Sequence, residues 1–343
     1  MSTILTRVLL QDLAQLFAEA DDHNVVINVG QGAESENFKA HSVILRARSP
    51  YFRTALSKNW AKKEGDFLIF NKPNITPNVF RIILKYIYTG VCSFENDLQS
   101  IYMDILIAAD ELALPNLVSY VQNHIISNDP SWLQQNIVNV LNVTSLHETF
   151  TILIDYCGRL IEENPEILFK SKDFCTIKSS TLTPILKRDL KIEEVEIWDH
   201  LIAWGIKQKP ELDADITGWN FRIFKTLRNR LDGMIQHIRF YNMTGQQFYE
   251  KIWPMNGIIS RNLVDELLRF YLVPGNKVPK NYLPIRRKLS GIVSSSQLAV
   301  LKNWIEGSNE IDGVCERHTY EKSILDSTEL SVEDYEVFRV VAR

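Results

Sequence analysis

The chain has 343 residues, 45% of them hydrophobic and 23% charged, with a formal net charge of −4. That length holds two or three domains, each able to bury its own core, and the composition excludes long disorder. The near balance of charge leaves no electrostatic footprint for a phosphate backbone, so binding of nucleic acid is not expected.

Residues 3 to 19 place Ile4, Val8, Leu9, Leu13, Leu16 and Phe17 at helical spacing, one apolar stripe that needs a partner. Asn24 to Gly30 (NVVINVG) is rich in β-branched residues and is followed by Gly30-Gln31-Gly32 and a second short strand around Phe38, which predicts a hairpin. The run SVILRARSPYFRTALS is helical but broken at Pro50, which fits the first turn of a new helix, so two short helices are expected. Phe67 to Phe70 reads as a compact buried strand, and Val79, Ile82, Ile83, Tyr86 and Ile87 as one face of a helix ended by Gly90. Two more helical runs follow, LQSIYMDILIAADELAL and NLVSYVQNHII, with Pro115 opening the second.

Strand signals vanish after Asn128-Asp129-Pro130, where a boundary is placed. From there to about Leu272 the chain is a succession of amphipathic runs, among them DYCGRLIEENPEILF, LTPILKRDL and IEEVEIWDHLIAWGI. Pro274 to Pro284 is rich in proline, glycine and polar residues and reads as an exposed joint before a last segment. The expected fold class is α+β: residues 1–128 with a small sheet capped by helices, 129–273 all-α, and 274–343 a linker and short tail.

No catalytic constellation is found. Gly30-Gln31-Gly32 lacks the third glycine of a dinucleotide fingerprint, and neither a nucleophile elbow nor a triphosphate loop is present. His41 has apolar, helix-forming neighbours and reads as a satisfied structural histidine rather than a base or ligand. His147, His200 and His237 are isolated, so no metal and no cofactor is expected. Glu162-Glu163 and Glu193-Glu194 are adjacent pairs, which on a helix do not face one another; the second pair marks a helix start, where negative charge complements the dipole. Arg286-Arg287-Lys288 is shorter than a nucleic-acid or import tract and reads as solvated surface. Cys92, Cys157, Cys175 and Cys315 form no CxxC pair and read as buried thiols. The three glycosylation patterns at Asn74, Asn142 and Asn242 are short enough to arise by chance. No secretory signal and no apolar run near the ~18 residues of a bilayer span is found. The expectation is therefore a cytoplasmic or nuclear protein without a membrane segment.

Phe38, Ala40, His41, Val43, Leu45, Ser49, Tyr51 and Phe52 stand in the order of the BTB/POZ signature, and the resemblance continues through Tyr88-Thr89-Gly90 to Ala108 to Leu114. One departure is Asn24, where that family commonly has aspartate. Residues 190 to 206, through Leu190, Ile192, Glu193 or Glu194, Val195, Trp198, Leu201 and Trp204, resemble a BACK-domain helix. Residues 289 to 307 look like the opening of a TLDc domain, whose remaining body is too long for the tail. The BTB resemblance implies a two-fold homodimer in which Leu9, Leu13 and Leu16 are covered. It also implies a loop that engages a cullin-3 scaffold, here carried by Leu56, Trp60 and Lys62. Trp60-Ala61-Lys62 stands where such adaptors have a hydrophobic residue, any residue and glutamate, so Lys62 reverses a charge. The function so implied is that of a non-enzymatic adaptor bringing an unidentified protein substrate to a ubiquitin ligase. The alternative is a self-assembling BTB scaffold without a ligase role. Kelch repeats and zinc-finger spacing are both missing.

Overall fold

The computed structural model describes residues 2–57, 62–94, 98–208, 218–273 and 283. Helix α1 (Ser2–Glu19) precedes a four-stranded sheet made of β1 (Val25–Val29), β2 (Glu36–Ala40), β3 (Lys62–Glu64) and β4 (Phe67–Lys72). The strand order is β2-β1-β4-β3, with β1 antiparallel to β2 and parallel to β4, and β3 antiparallel to β4. Alternation along β1 sends Val25, Ile27 and Val29 into the core. Ile27 lies opposite Phe38 on one side and Phe70 on the other, which fixes the register of the sheet. The hairpin turns at Gly30, whose φ of +86° a side chain would resist and whose N–H closes on the Lys72 carbonyl at 3.1 Å. The Phe67 to Phe70 strand is less buried than its run of apolar residues suggests. Phe67 is exposed and the next three are half-buried, because β4 packs on one face only.

Between β2 and β3 lie the two expected short helices, α2 (Ser42–Arg48) and α3 (Pro50–Ala55). Ser49 explains the corner: its hydroxyl accepts from the Phe52 N–H at 3.1 Å, capping α3, and donates to the Leu112 carbonyl at 2.7 Å. Helix α4 (Pro77–Thr89) starts on a Thr76 cap and stops at Gly90, whose φ is +70°. Helices α5 (Tyr102–Glu111) and α6 (Pro115–Asn128) complete the strand-bearing half.

Beyond residue 129 every described element is helical: α7 (Pro130–Gln135), α8 (Ile137–Thr144), α9 (Thr151–Glu163), α10 (Glu166–Phe169), α11 (Ser179–Leu186), α12 (Glu194–Lys207), α13 (Phe221–Arg230), α14 (Gly245–Gln247) and α15 (Arg261–Leu272). The described residues belong to one compact unit, and the buried residues of the two halves join in one hydrophobic cluster. Gln122 on α6, almost fully buried, shows how they are tied. Its amide nitrogen donates to the Thr149 carbonyl at 3.3 Å and its oxygen accepts from the Leu153 N–H at 3.1 Å, so α6 caps the start of α9. The change at 129 is thus a change of element type within continuous packing. The segment likened to a TLDc opening, residues 289 to 307, lies outside the described residues.

Candidate interaction surface

Helix α1 is anchored at one end only. Leu16 and Phe17 pack against the core, the Phe17 ring 5.4 Å from that of Tyr88 on α4. Toward the N-terminus the same helix leaves Leu5 (72%), Val8, Leu9 (57%) and Leu10 exposed, and Leu13 half-buried. Of the three residues expected at a dimer seam, Leu9 is thus open to solvent, Leu13 stands at the edge of the domain and Leu16 is largely engaged by its own core. Leu5 and Val8 extend the stripe beyond those three. Contiguous exposed apolar side chains of this size on a surface helix mark an interaction site more often than chance.

The base of α1 is set by polar contacts. His41, buried, has its Nδ1 2.7 Å from the Tyr88 hydroxyl and its Nε2 2.6 Å from the Asp21 carbonyl, while its backbone N–H donates to the same hydroxyl at 2.9 Å. The Asp21 carbonyl can only accept, so Nε2 carries the ring proton and donates to it, which leaves Nδ1 to accept the Tyr88 O–H. Burial pushes the Tyr88 phenol up to about 12, so it keeps the proton this arrangement needs. His41 is a structural histidine, and its partner lies 47 residues away, where no local pattern points to it. Replacing Tyr88 with phenylalanine is expected to cost about 1–3 kcal/mol by leaving the buried His41 groups unpaired. The midpoint of urea unfolding reads this; a shift of only a few tenths would assign the satisfaction of His41 elsewhere. Asn24, at the family's aspartate position, holds the start of α2 by accepting from the Ser42 N–H at 2.8 Å and donating to the Ser42 hydroxyl at 2.9 Å. An aspartate could accept from the same N–H and hydroxyl, so asparagine keeps both contacts without the charge.

The residues expected to meet a cullin scaffold are not brought together as one exposed set. Leu56 ends α3 and is only 4% exposed, because it turns into the core beneath the sheet, so it is a packing residue rather than a contact surface. Lys62 opens β3, and its side chain is 71% exposed and paired with Glu64 at 2.9 Å. Trp60 lies outside the described residues.

His147, which seemed isolated, meets Asp110 at 2.9 Å and stacks on Phe150. Glu194 opens α12 as expected, but its carboxylate is buried and accepts from the Arg239 N–H at 2.8 Å, while Arg239 donates to Asp189 at 2.8 Å. Its neighbour Glu193 takes the N-cap position instead. Burial raises the thiols of Cys92 to about 11 and Cys157 to about 12, which keeps them protonated and inert; Cys175 is half-buried and Cys315 lies outside the described residues. Among the described residues no group of His, Cys, Asp and Glu could hold a metal ion, and no helix is long and apolar enough to cross a membrane.

A small mixed sheet flanked by helices, with a part-anchored apolar helix before it, defines an α+β module. Residues 13–129 match the family model of the BTB/POZ domain, and the chain carries that domain. Proteins with this domain generally act as interaction adaptors, and the domain generally homodimerises. Among relatives, human BTB/POZ domain-containing protein 9 is 27% identical over 53% of this chain and 29% of its own length. BTB/POZ domain-containing protein 6 of Xenopus laevis is 26% identical over 67% of this chain and 40% of its own length. The chain thus spans less than half the length of these relatives. The solved BTB domain of zebrafish PATZ1 is 22% identical and covers 37% of this chain and 96% of that one, at a TM-score of 0.30.

Proposed function

We propose that this chain is a dimeric, non-enzymatic adaptor: the BTB half joins two copies through α1, and the helical half, of the BACK type, carries and orients an unidentified protein substrate. The observation that carries the reading is the row of exposed Leu5, Val8, Leu9 and Leu10 on a helix whose other end is fixed in the core. Covering these side chains with their symmetry mates would take their apolar surface out of water, which favours a two-fold pair. We further propose that the ligase scaffold engaged is cullin-3, through the segment holding Trp60, with the dimer working in the cytoplasm or nucleus, where its free thiols stay reduced. The second reading, a BTB scaffold outside the ubiquitin system, is favoured by two observations: Lys62 exposes a cation where ligase adaptors place an acid, and Leu56 is withdrawn into the core.

Light scattering on the full chain tests the first step. The wild type is expected at twice the mass of the chain, and Leu5→Glu with Leu9→Glu at a single mass with an unchanged circular dichroism spectrum; a wild type that stays monomeric at micromolar concentration removes the dimer. Pull-down with the cullin-3 N-terminal region, wild type against Trp60→Ala, separates the two readings. Retention lost in the variant supports the ligase reading, and no retention of the wild type leaves the scaffold reading standing.

A further inference from the structure

The helical half presents a second surface, chemically unlike the α1 stripe. Helix α13 carries Arg222, Lys225, Arg228 and Arg230 and no acidic residue, in a chain whose net charge is −4. Leu227 is its buried residue, and Ile223 and Phe224 face the same side; a Cβ on Gly257 would lie 2.7 Å from the Phe224 ring, so the segment Trp253–Ile258 presses closely on this helix. At 100° per residue, Phe221, Lys225 and Arg228 fall within a stripe about 60° wide, turned well away from buried Leu227, with Arg222 about 60° further round the helix; Asp232, past the helix end, lines the same groove. Phe221 is 79% exposed, and the stripe lines a shallow groove shared with Gly257. Arg230 donates to the Gln208 carbonyl at 3.2 Å and serves the fold. Among the described residues no ion pair engages Arg222, Lys225 or Arg228.

Three cations that no ion pair among the described residues engages, beside an exposed phenylalanine, form a surface with both an electrostatic and an apolar half. We propose that this groove docks an acidic peptide segment of a partner protein, its carboxylates facing Lys225 and Arg228 in the groove and Arg222 beside it, with one apolar side chain lying on Phe221. Arginine and aromatic side chains are the residues that anchor such contacts, and charge complementarity selects the partner and speeds its arrival. Asp232 argues for a peptide over a nucleic acid. It sits in the line of the groove, where a uniform row of phosphates would meet a like charge, whereas a peptide can place a neutral or basic residue there. The inference rests on the reading that this chain works through protein contacts, and it names the chemistry of one such partner.

Fluorescence anisotropy on the full chain provides the test, with a labelled synthetic peptide of about a dozen residues in which glutamates and aspartates alternate with one leucine and one phenylalanine. Saturable binding is expected. It should weaken by about tenfold or more in the combined Arg222→Glu, Lys225→Glu, Arg228→Glu variant, by several-fold in Phe221→Ser, and progressively between about 50 and about 300 mM salt. The milder pair Arg222→Gln and Arg228→Gln, which reverses no charge, should weaken it by a smaller factor and covers the case in which the triple variant fails to fold. Absent or non-saturable binding, equal binding of the same peptide with lysine at each acid, tighter binding of an oligouridine of equal length, or an affinity unmoved by the substitutions in folded protein would each overturn the proposal. Light scattering on the same samples keeps the two readings apart. A dimer that ignores the acidic peptide removes the groove alone, and a monomer that binds it removes the α1 seam alone.

Discussion

Replacing Trp198 with alanine is expected to lower the unfolding free energy by about 3–5 kcal/mol, the range for emptying a buried aromatic site. Trp198 is 1% exposed on the inner face of α12, its ring centroid 5.5 Å from that of Phe240 in an edge-on contact. Its indole N–H donates to the Lys251 carbonyl at 3.2 Å, so one side chain joins α12 to two points, Phe240 and Lys251, of the stretch between α13 and α15. Alanine removes the ring volume and leaves that carbonyl without its donor. Phenylalanine restores much of the volume and none of the hydrogen bond, and about half of the loss should remain. Chemical denaturation followed by circular dichroism measures both variants. A loss below about 1 kcal/mol for alanine would mean that the site collapses around the gap and that α12 is not the axis of the helical half.

The second large effect is expected at a buried charge. Lys72, the last residue of β4, is 4% exposed; its ammonium donates to the Tyr51 hydroxyl at 3.0 Å and to Glu111, and lies 4.6 Å from the centre of the Tyr51 ring. The other oxygen of Glu111 accepts from the Asn74 amide at 2.7 Å. This cluster ties the end of the sheet to α3 and α5. Glu111→Ala strands a buried cation, and a loss of about 2–3 kcal/mol is expected, toward the lower end of the range for breaking such pairs because the carboxylate itself is one-third exposed. Lys72→Met removes the cation together with its desolvation cost, and a change within about 1 kcal/mol is expected. The asymmetry is the informative outcome: equal losses in the two variants would show that the pair acts through packing and not through charge.

Both sites show where local pattern reading stops. The periodicity around Trp198 placed it on a buried helix face, because a stripe recurring every three to four residues has only one way to leave water. The carbonyl of Lys251, 53 residues away, has no signature in that periodicity. Lys72 left no trace at all, since a lysine closing a strand reads as surface by every compositional rule. Its burial follows from the parallel pairing of β4 with β1, which carries the residue inward beside Val29. His41 is the intermediate case. Its apolar surroundings announced a structural role, but Tyr88 could be named as its partner only once α4 was folded back over the start of α2. Leu56 went the other way: the BTB resemblance implied a contact residue, and the end of α3 turns it inward.

The elements themselves were written in the sequence. The hairpin at Gly30, the break at Pro50, the helix end at Gly90 and the loss of strands after residue 129 each follow from backbone constraints or side-chain periodicity that act over a few residues, and the ordered signature from Phe38 to Phe52 led to the BTB domain. Three things were decided only by the tertiary structure: which end of α1 is anchored, that the two halves share one core, and that α13 turns Arg222, Lys225 and Arg228, in no ion pair among the described residues, outward beside Phe221. These depend on residues distant in the chain competing for the same buried space, and that competition is resolved only when the whole chain packs.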